Sequence, residues 1–216
     1  GSTTLCAGDT VFLDAGAFAS YAWSPSGNTQ TIPATTSAVH VVTVTDINGC
    51  VGFDSIIVNI GSPLLVPMTK TDVSCNGAIP GDGSATVTPS GGFIPYNFLW
   101  STGGTTATIS NLSVGTYIVT VTDNNGCVAI DSITIIEPTP VVASTTGTPV
   151  SCNGSSDGIA RAFGAGGTPG YTFLWDANAG NATTAEVDVL PIVTTIYNVT
   201  VTSDGGCAGV ANVTIT

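Results

Sequence analysis

TYIVTVTDNNGC, Thr116–Cys127, is the stretch whose reading decides the fold. Alternation places Tyr117, Val119 and Val121 on one face of an extended segment and Thr116, Ile118, Thr120 and Thr122 on the other, the period-2 pattern of a half-buried strand. Asp123-Asn124-Asn125-Gly126 then supplies residues that tolerate positive φ, and Val128–Ile136 returns as a second strand, so the whole reads as a hairpin. The same signal stands at Thr43–Cys50 (TVTDINGC) and at Thr200–Cys207 (TVTSDGGC). VSCNG at Val73–Gly77 likewise recurs at Val150–Gly154, and Tyr96-Asn97-Phe98-Leu99-Trp100 recurs as Tyr171-Thr172-Phe173-Leu174-Trp175, more loosely as Tyr21-Ala22-Trp23. Repetition at this period marks one small unit copied along the chain.

Gly61-Ser62-Pro63 and Glu137-Pro138-Thr139-Pro140 interrupt the strand pattern and predict three modules, 1–61, 62–138 and 139–216. The linkers are short and proline-containing, which favours neighbours set end to end with limited bending. No window carries helical apolar spacing, while Val, Ile, Thr and Tyr dominate the regular stretches. The fold class expected is all-β, a tandem array of three immunoglobulin-like β-sandwich modules with one disulfide each. In such sandwiches a tryptophan on a central strand fills the core. Trp100 and Trp175 are therefore read as core and not as sugar-stacking platforms. The hairpin alignment sets His40 where the other modules have Tyr117 and Tyr197. This position resembles the tyrosine corner of sandwich folds, with His40 a structural substitute.

Six cysteines fall two to a module: Cys6 and Cys50, Cys75 and Cys127, Cys152 and Cys207. Of the 15 possible connectivities, the one that treats all three units alike pairs them within modules. Each loop would then hold about 50 residues, worth on the order of 4 kcal/mol in the chain-entropy model. Such stapling suits modules too small for a large core and implies an oxidising, extracellular compartment. No CxxC occurs and there is a single histidine, which disfavours zinc.

Charged residues make up 7% of the chain, and the two basic ones, Lys70 and Arg161, face fourteen acidic ones for a net charge of -12. This balance argues against nucleic acid and anionic membranes and favours cations or neutral glycans. No apolar run reaches the ~20 residues of a membrane span. The chain ends on a strand, Asn212–Thr216, which suggests an excerpt from a longer array with neighbouring modules.

Nothing assembles into a catalytic constellation, so an enzyme is not expected. Asp82 and Asp157 in the GDG and SDG loops, with Asp46, Asp123 and Asp204 in the hairpins, are the candidate calcium ligands. The competing reading, which we favour, is that short Asp side chains hydrogen-bond their own turns. Asn111, Asn153, Asn181, Asn198 and Asn212 open N-x-Ser/Thr triplets that a Thr-rich chain makes by chance.

The second module carries, in order, SCNGAIPGDGSATV, GGFIPYNFLW, NLSVGTYIVTVTDNNGCVA and IIEP, and on these blocks it resembles the SprB repeat of giant surface adhesins used in gliding motility. The third matches through SCNGSSDG, GGTPGYTFLW and VTSDGGC. The first, with CAGD and no GG-x-x-x-Y block, resembles more distant immunoglobulin-like or PKD-like modules. What the resemblance implies is a long filament at the outer cell surface, exported by type IX secretion, that extends to and grips surface polysaccharide or substratum. The alternative is a set of carbohydrate-binding modules in a secreted protein, which requires an exposed aromatic patch on at least one module. The resemblance also implies O-glycosylation at Asp-Ser/Thr-aliphatic sites: Thr10, Ser55 and Ser132.

Overall fold

The structure, a computed structural model, describes residues 1–152, 157–191 and 193–216. Among these the chain is built of strands, with one short 3-10 turn at Ala177–Ala179. The first repeat contains β1 (Ser2–Leu5), β2 (Val11–Asp14), β3 (Ser20–Ser24), β4 (Thr31–Ala34), β5 (Ala38–Thr45) and β6 (Val51–Ile60). One sheet has the order β1-β6-β5-β3 and the other is β2-β4. β1 lies parallel to β6, with Leu5 opposite Ile60, and β5 pairs antiparallel with both β3 and β6. The second repeat holds β7 (Met68–Thr71), β8 (Gly83–Val87), β9 (Asn97–Trp100), β10 (Thr108–Leu112), β11 (Gly115–Thr122) and β12 (Val128–Ile135), in sheets β10-β8-β7 and β12-β11-β9. The third has β13 (Val142–Thr148), β14 (Gly158–Ala165), β15 (Tyr171–Trp175), β16 (Glu186–Val189), β17 (Thr195–Ser203) and β18 (Ala208–Ile215), in sheets β13-β14-β16 and β15-β17-β18.

Packing divides the chain into two compact units. One comprises Gly1–Thr69, Thr86–Thr108 and Tyr117–Ile133, the other Lys70–Ala85, Ile109–Thr116 and Thr134–Thr216. In the first, Leu13, Trp23, Ile32, Ala34, Val42, Val44 and Val58 form a core. In the second, Ala160, Ala162, Trp175, Val189, Tyr197, Val199, Val201 and Ile215 do so. The middle repeat contributes buried Trp100, Val119 and Val121 to the first unit and buried Val73, Ala85, Ile109 and Ile135 to the second.

The three tryptophans are buried as the alternation requires. Each Nε1–H finds a backbone carbonyl at 2.9 Å: Trp23 donates to Thr29, Trp100 to Thr106 and Trp175 to Thr184. A buried indole therefore keeps its one polar group satisfied while filling the core.

A tyrosine clamp also stands at a second position in each repeat. Tyr21, Tyr96 and Tyr171, at the entry to the tryptophan strands, donate their hydroxyls to the carbonyls of Gly16, Gly91 and Gly166, five residues back. The first repeat thus keeps the clamp although it lacks the double glycine. His40 is buried and neither ring nitrogen has a hydrogen-bond partner, so it fills space and ties nothing.

The double glycine has a separate cause. Gly91 (φ 78) and Gly166 (φ 72) lie so close to the incoming linker that a Cβ on either would stand 2.0 Å from a carbonyl oxygen, that of Pro63 or of Pro140. The following glycine in each case donates its N–H to the linker, Gly92 to Ser62 O and Gly167 to Thr139 O. The linker is thereby sewn to the loop that carries the clamp. Gly166→Ala combines a left-handed φ with a backbone clash, and we expect it to lower unfolding free energy by more than about 2 kcal/mol in denaturant melts.

Candidate functional site

The bridges overturn the pairing expected from the repeat register. Cys6 is bonded to Cys127 and Cys75 to Cys207, with Cα–Cα distances of 5.5 and 5.4 Å, while Cys50 and Cys152 are exposed free thiols. Pairing within modules, Cys6–Cys50, Cys75–Cys127 and Cys152–Cys207, does not occur. In the first repeat the physical reason is the parallel pairing of β1 with β6. Cys6 follows Leu5 and so sits at the exit of β6, where Gly61 N–H donates to Leu5 O. Cys50 precedes the entry of the same strand, which has 10 residues. At about 3.3 Å per residue the two are some 30 Å apart along the strand, far beyond disulfide reach. In the third repeat β13 belongs to the other sheet and only packs beside β18. Thr145 Oγ1 donates to Asn212 O, and Gly147 lies against Val213 and Ile215, so β13 runs along β18 and carries Cys152 away from Cys207.

A chain of contacts delivers the turn of one repeat to the exit of the repeat before it. Gly61 packs on Phe93, Phe93 N–H donates to Asp123 Oδ2 at 2.9 Å, Asn124 N–H returns to Phe93 O, and Asp123 opens the turn that ends at Cys127. In the second unit Cys207 Sγ lies 3.0 Å from Ser74 O.

Four of the five aspartates proposed as calcium ligands, Asp46, Asp82, Asp123 and Asp157, are engaged with backbone amides. Asp46 Oδ1 accepts from Asn48 and Cys50, Asp82 Oδ1 from Ser74, and Asp157 Oδ1 from Ser151. Asp123 is buried and accepts from Phe93, Asn125 and Cys127. The turn position is Asp46, Asp123 and Ser203, so Asp204 lies one residue out of register with the other two. Ser203 Oγ is buried without a partner. Among the described residues no three His, Cys, Asp or Glu side chains converge as a metal site. For Asp123, burial raises the carboxyl's pKa but the amide donors of Phe93, Cys127, Asn125 and Gly126 together outweigh it, so the net displacement is downward. Hydrogen bonds at Cys50 for Asp46, at Ser74 for Asp82 and at Ser151 for Asp157 lower those groups too. Both basic side chains are ion-paired, Lys70 with Asp72 and Arg161 with Glu186.

Thr10, Ser55 and Ser132 are exposed, and Asp54 and Asp131 each accept the N–H of the following serine. Asn153 falls outside the described residues. The outward faces of the hairpin sheets interleave threonine with exposed aliphatics: Leu99, Ile118, Val128 and Ile130 in the second repeat, Leu174, Ile196 and Val210 in the third. An open cavity of about 650 Å³ in the first repeat is lined by Phe12, Phe18, Trp23, His40, Phe53 and Asp54 among others. Alternation did not reveal it, because Phe12 and Phe53 occupy outward positions and are 69% and 84% exposed. No helix among the described residues is long and apolar enough to cross a membrane.

The fold defines a class of protein, a series of small immunoglobulin-like β repeats with disulfides between neighbouring repeats. A crystal structure of the N-terminal eight immunoglobulin domains of Down Syndrome Cell Adhesion Molecule overlays with a TM-score of 0.53 at 13% identity, over 100% of this chain and 35% of that one. This chain thus spans about a third of that structure's length. A three-immunoglobulin segment of titin aligns over 99% of this chain and 94% of its own, at 11% identity and a TM-score of 0.42. No curated protein matches the chain in sequence. The SprB repeat family model matches residues 68–105, within the second repeat, and 144–180, within the third.

Because the Asp123 carboxyl is held below its ordinary value of 3.8, its contribution is complete above that value and is lost as pH falls through the folded-state value beneath it. Asp123→Ala leaves three buried or half-buried amides without their acceptor. The expected cost at neutral pH is on the order of 3 kcal/mol, and the variant's acid-unfolding limb below pH 3.8 should be shallower than the parent's in a pH series of melts.

Proposed function

We propose that this segment is a load-bearing extender of a cell-surface adhesin filament, and that its outward sheet faces contact the substratum in gliding motility. The SprB family supports the surface location, and the threonine-aliphatic faces suit uncharged polysaccharide or apolar surfaces. The observation that carries the reading is that the bridges join neighbouring repeats.

Cross-repeat bridges change how tension is carried. With Cys6 bonded to Cys127 and Cys75 to Cys207, three chain segments run in parallel between the bridges: 6–75, 75–127 and 127–207. Tension is shared among them, and the shortest, about 50 residues, limits extension even when every strand is unravelled. Pairing within modules would instead leave single-stranded links between modules. At up to ~3.5 Å per residue, the fully unravelled oxidised chain reaches roughly 230 Å, against roughly 750 Å when reduced. Single-molecule stretching between the termini, with and without reductant, measures this difference. Equal final lengths would end the load-bearing reading.

A second reading has its own observation. The aromatic-lined cavity of the first repeat, with exposed Phe12 and Phe53 beside Asp54, is the kind of patch a carbohydrate-binding module needs. Under this reading, calorimetry detects saturable polysaccharide binding that Phe53→Ala weakens at least about tenfold without changing the melt. Binding indifferent to that substitution would remove it.

A further inference from the structure

Cys50 and Cys152 are the two thiols left outside the bridges, and both are exposed. Each is presented in the same local frame as a bridged counterpart. Ser151 N–H donates to Asp157 Oδ1 at 3.0 Å beside Cys152, as Ser74 N–H donates to Asp82 Oδ1 at 2.9 Å beside Cys75. In the turns, Asp46 N–H donates to Cys50 O at 3.0 Å, as Asp123 does to Cys127 O and Ser203 to Cys207 O, both at 2.9 Å. The formed bridges obey one rule. The cysteine that follows a repeat's first strand is bonded to the turn cysteine of the next repeat. Cys152 is of the first type and Cys50 of the second. Cys152 also borders a cavity of about 270 Å³, with Val150, Pro191, Val193 and Thr216.

We propose that Cys152 and Cys50 are complementary halves of a further bridge of the same kind. Cys152 takes the turn cysteine of another such repeat, Cys50 takes the loop cysteine of another, and two copies of this chain satisfy each other through Cys152 of one and Cys50 of the next. Because the two halves differ, the contact is heterologous and propagates head to tail. The chemistry is two successive thiol-disulfide exchanges with a small-molecule disulfide as oxidant. One protein thiolate attacks that disulfide, forming a mixed disulfide and expelling one small thiolate. The second protein thiolate attacks the protein sulfur of the mixed disulfide and expels the other. Two protein thiols lose two electrons and two protons, and one oxidant molecule is reduced to two thiols. The inference stands apart from the load-bearing reading, since the pairing holds whether or not the segment carries tension.

Cys50→Ser and Cys152→Ser variants of the full chain test it in a reduced/oxidised glutathione buffer, read by non-reducing electrophoresis and peptide mass mapping. Each variant alone is expected to stay monomeric, their mixture to give a dimer joined through Cys50 and Cys152 at least about tenfold over either homodimer, and the parent chain to give a ladder. Homodimers as abundant as the mixed dimer would overturn the proposal, as would glutathione-capped monomers alone. If either serine variant misfolds by near-ultraviolet dichroism, mapping the parent's intermolecular bridges still decides: Cys50–Cys50 and Cys152–Cys152 links at the statistical share would refute it.

Discussion

The course of each repeat's first strand beside its last is the constraint on which the rest depends, a parallel ladder of β1 with β6 in the first repeat and side-chain contact of β13 with β18 in the third. It carries each repeat's early cysteine to the exit of the final strand, while the hairpin holds the late cysteine at that strand's entry. In the first repeat the strand between them is 10 residues long, so its two sulfurs cannot meet without unfolding it. Neighbouring repeats meet through exit and turn, and there a thiol from each finds the other. Loops of 121 and 132 residues are closed in place of loops of about 50, which in the chain-entropy model raises the effect of each bridge to about 5 kcal/mol.

Around that junction the recurring blocks of the repeat acquire separate duties. The double glycine admits the linker backbone at a distance no side chain would allow, and the tyrosine hydroxyl five residues on holds the glycine carbonyl. The turn aspartate gathers amides from the hairpin and, in the second repeat, from the glycine loop as well. Buried with those donors, it keeps its charge because the amides outweigh desolvation. The third repeat puts serine at that position, and its hydroxyl is left without a partner there.

Low charge is compatible with this design because the surface polarity comes from threonine, serine and asparagine, and the few ions are local. Lys70 and Arg161 are held by Asp72 and Glu186 and leave no basic patch to recruit anions. The sheet faces that remain are uncharged and partly apolar, which supports contact with neutral surfaces over charged ligands.

Much was legible in the sequence because it is a matter of period. Two-residue alternation determined the strands, the buried Trp100 and Trp175 and the inward Val119 and Val121, and the recurrence of SCNG, GG-x-x-x-Y and the hairpin turn determined the repeat. Periodicity is a local property of the chain. The pairing of Cys6 with Cys127, the identity of the clamp as Tyr21, Tyr96 and Tyr171, the offset of Asp204 and the open cavity beside Phe53 are not local. They depend on which strand ends come together and in which direction the first strand runs, and a sequence register that treats every repeat alike cannot tell a bond within a unit from the same bond shifted by one unit. Only the tertiary structure distinguishes them, because only there does the length of the final strand hold the two cysteines of a repeat apart.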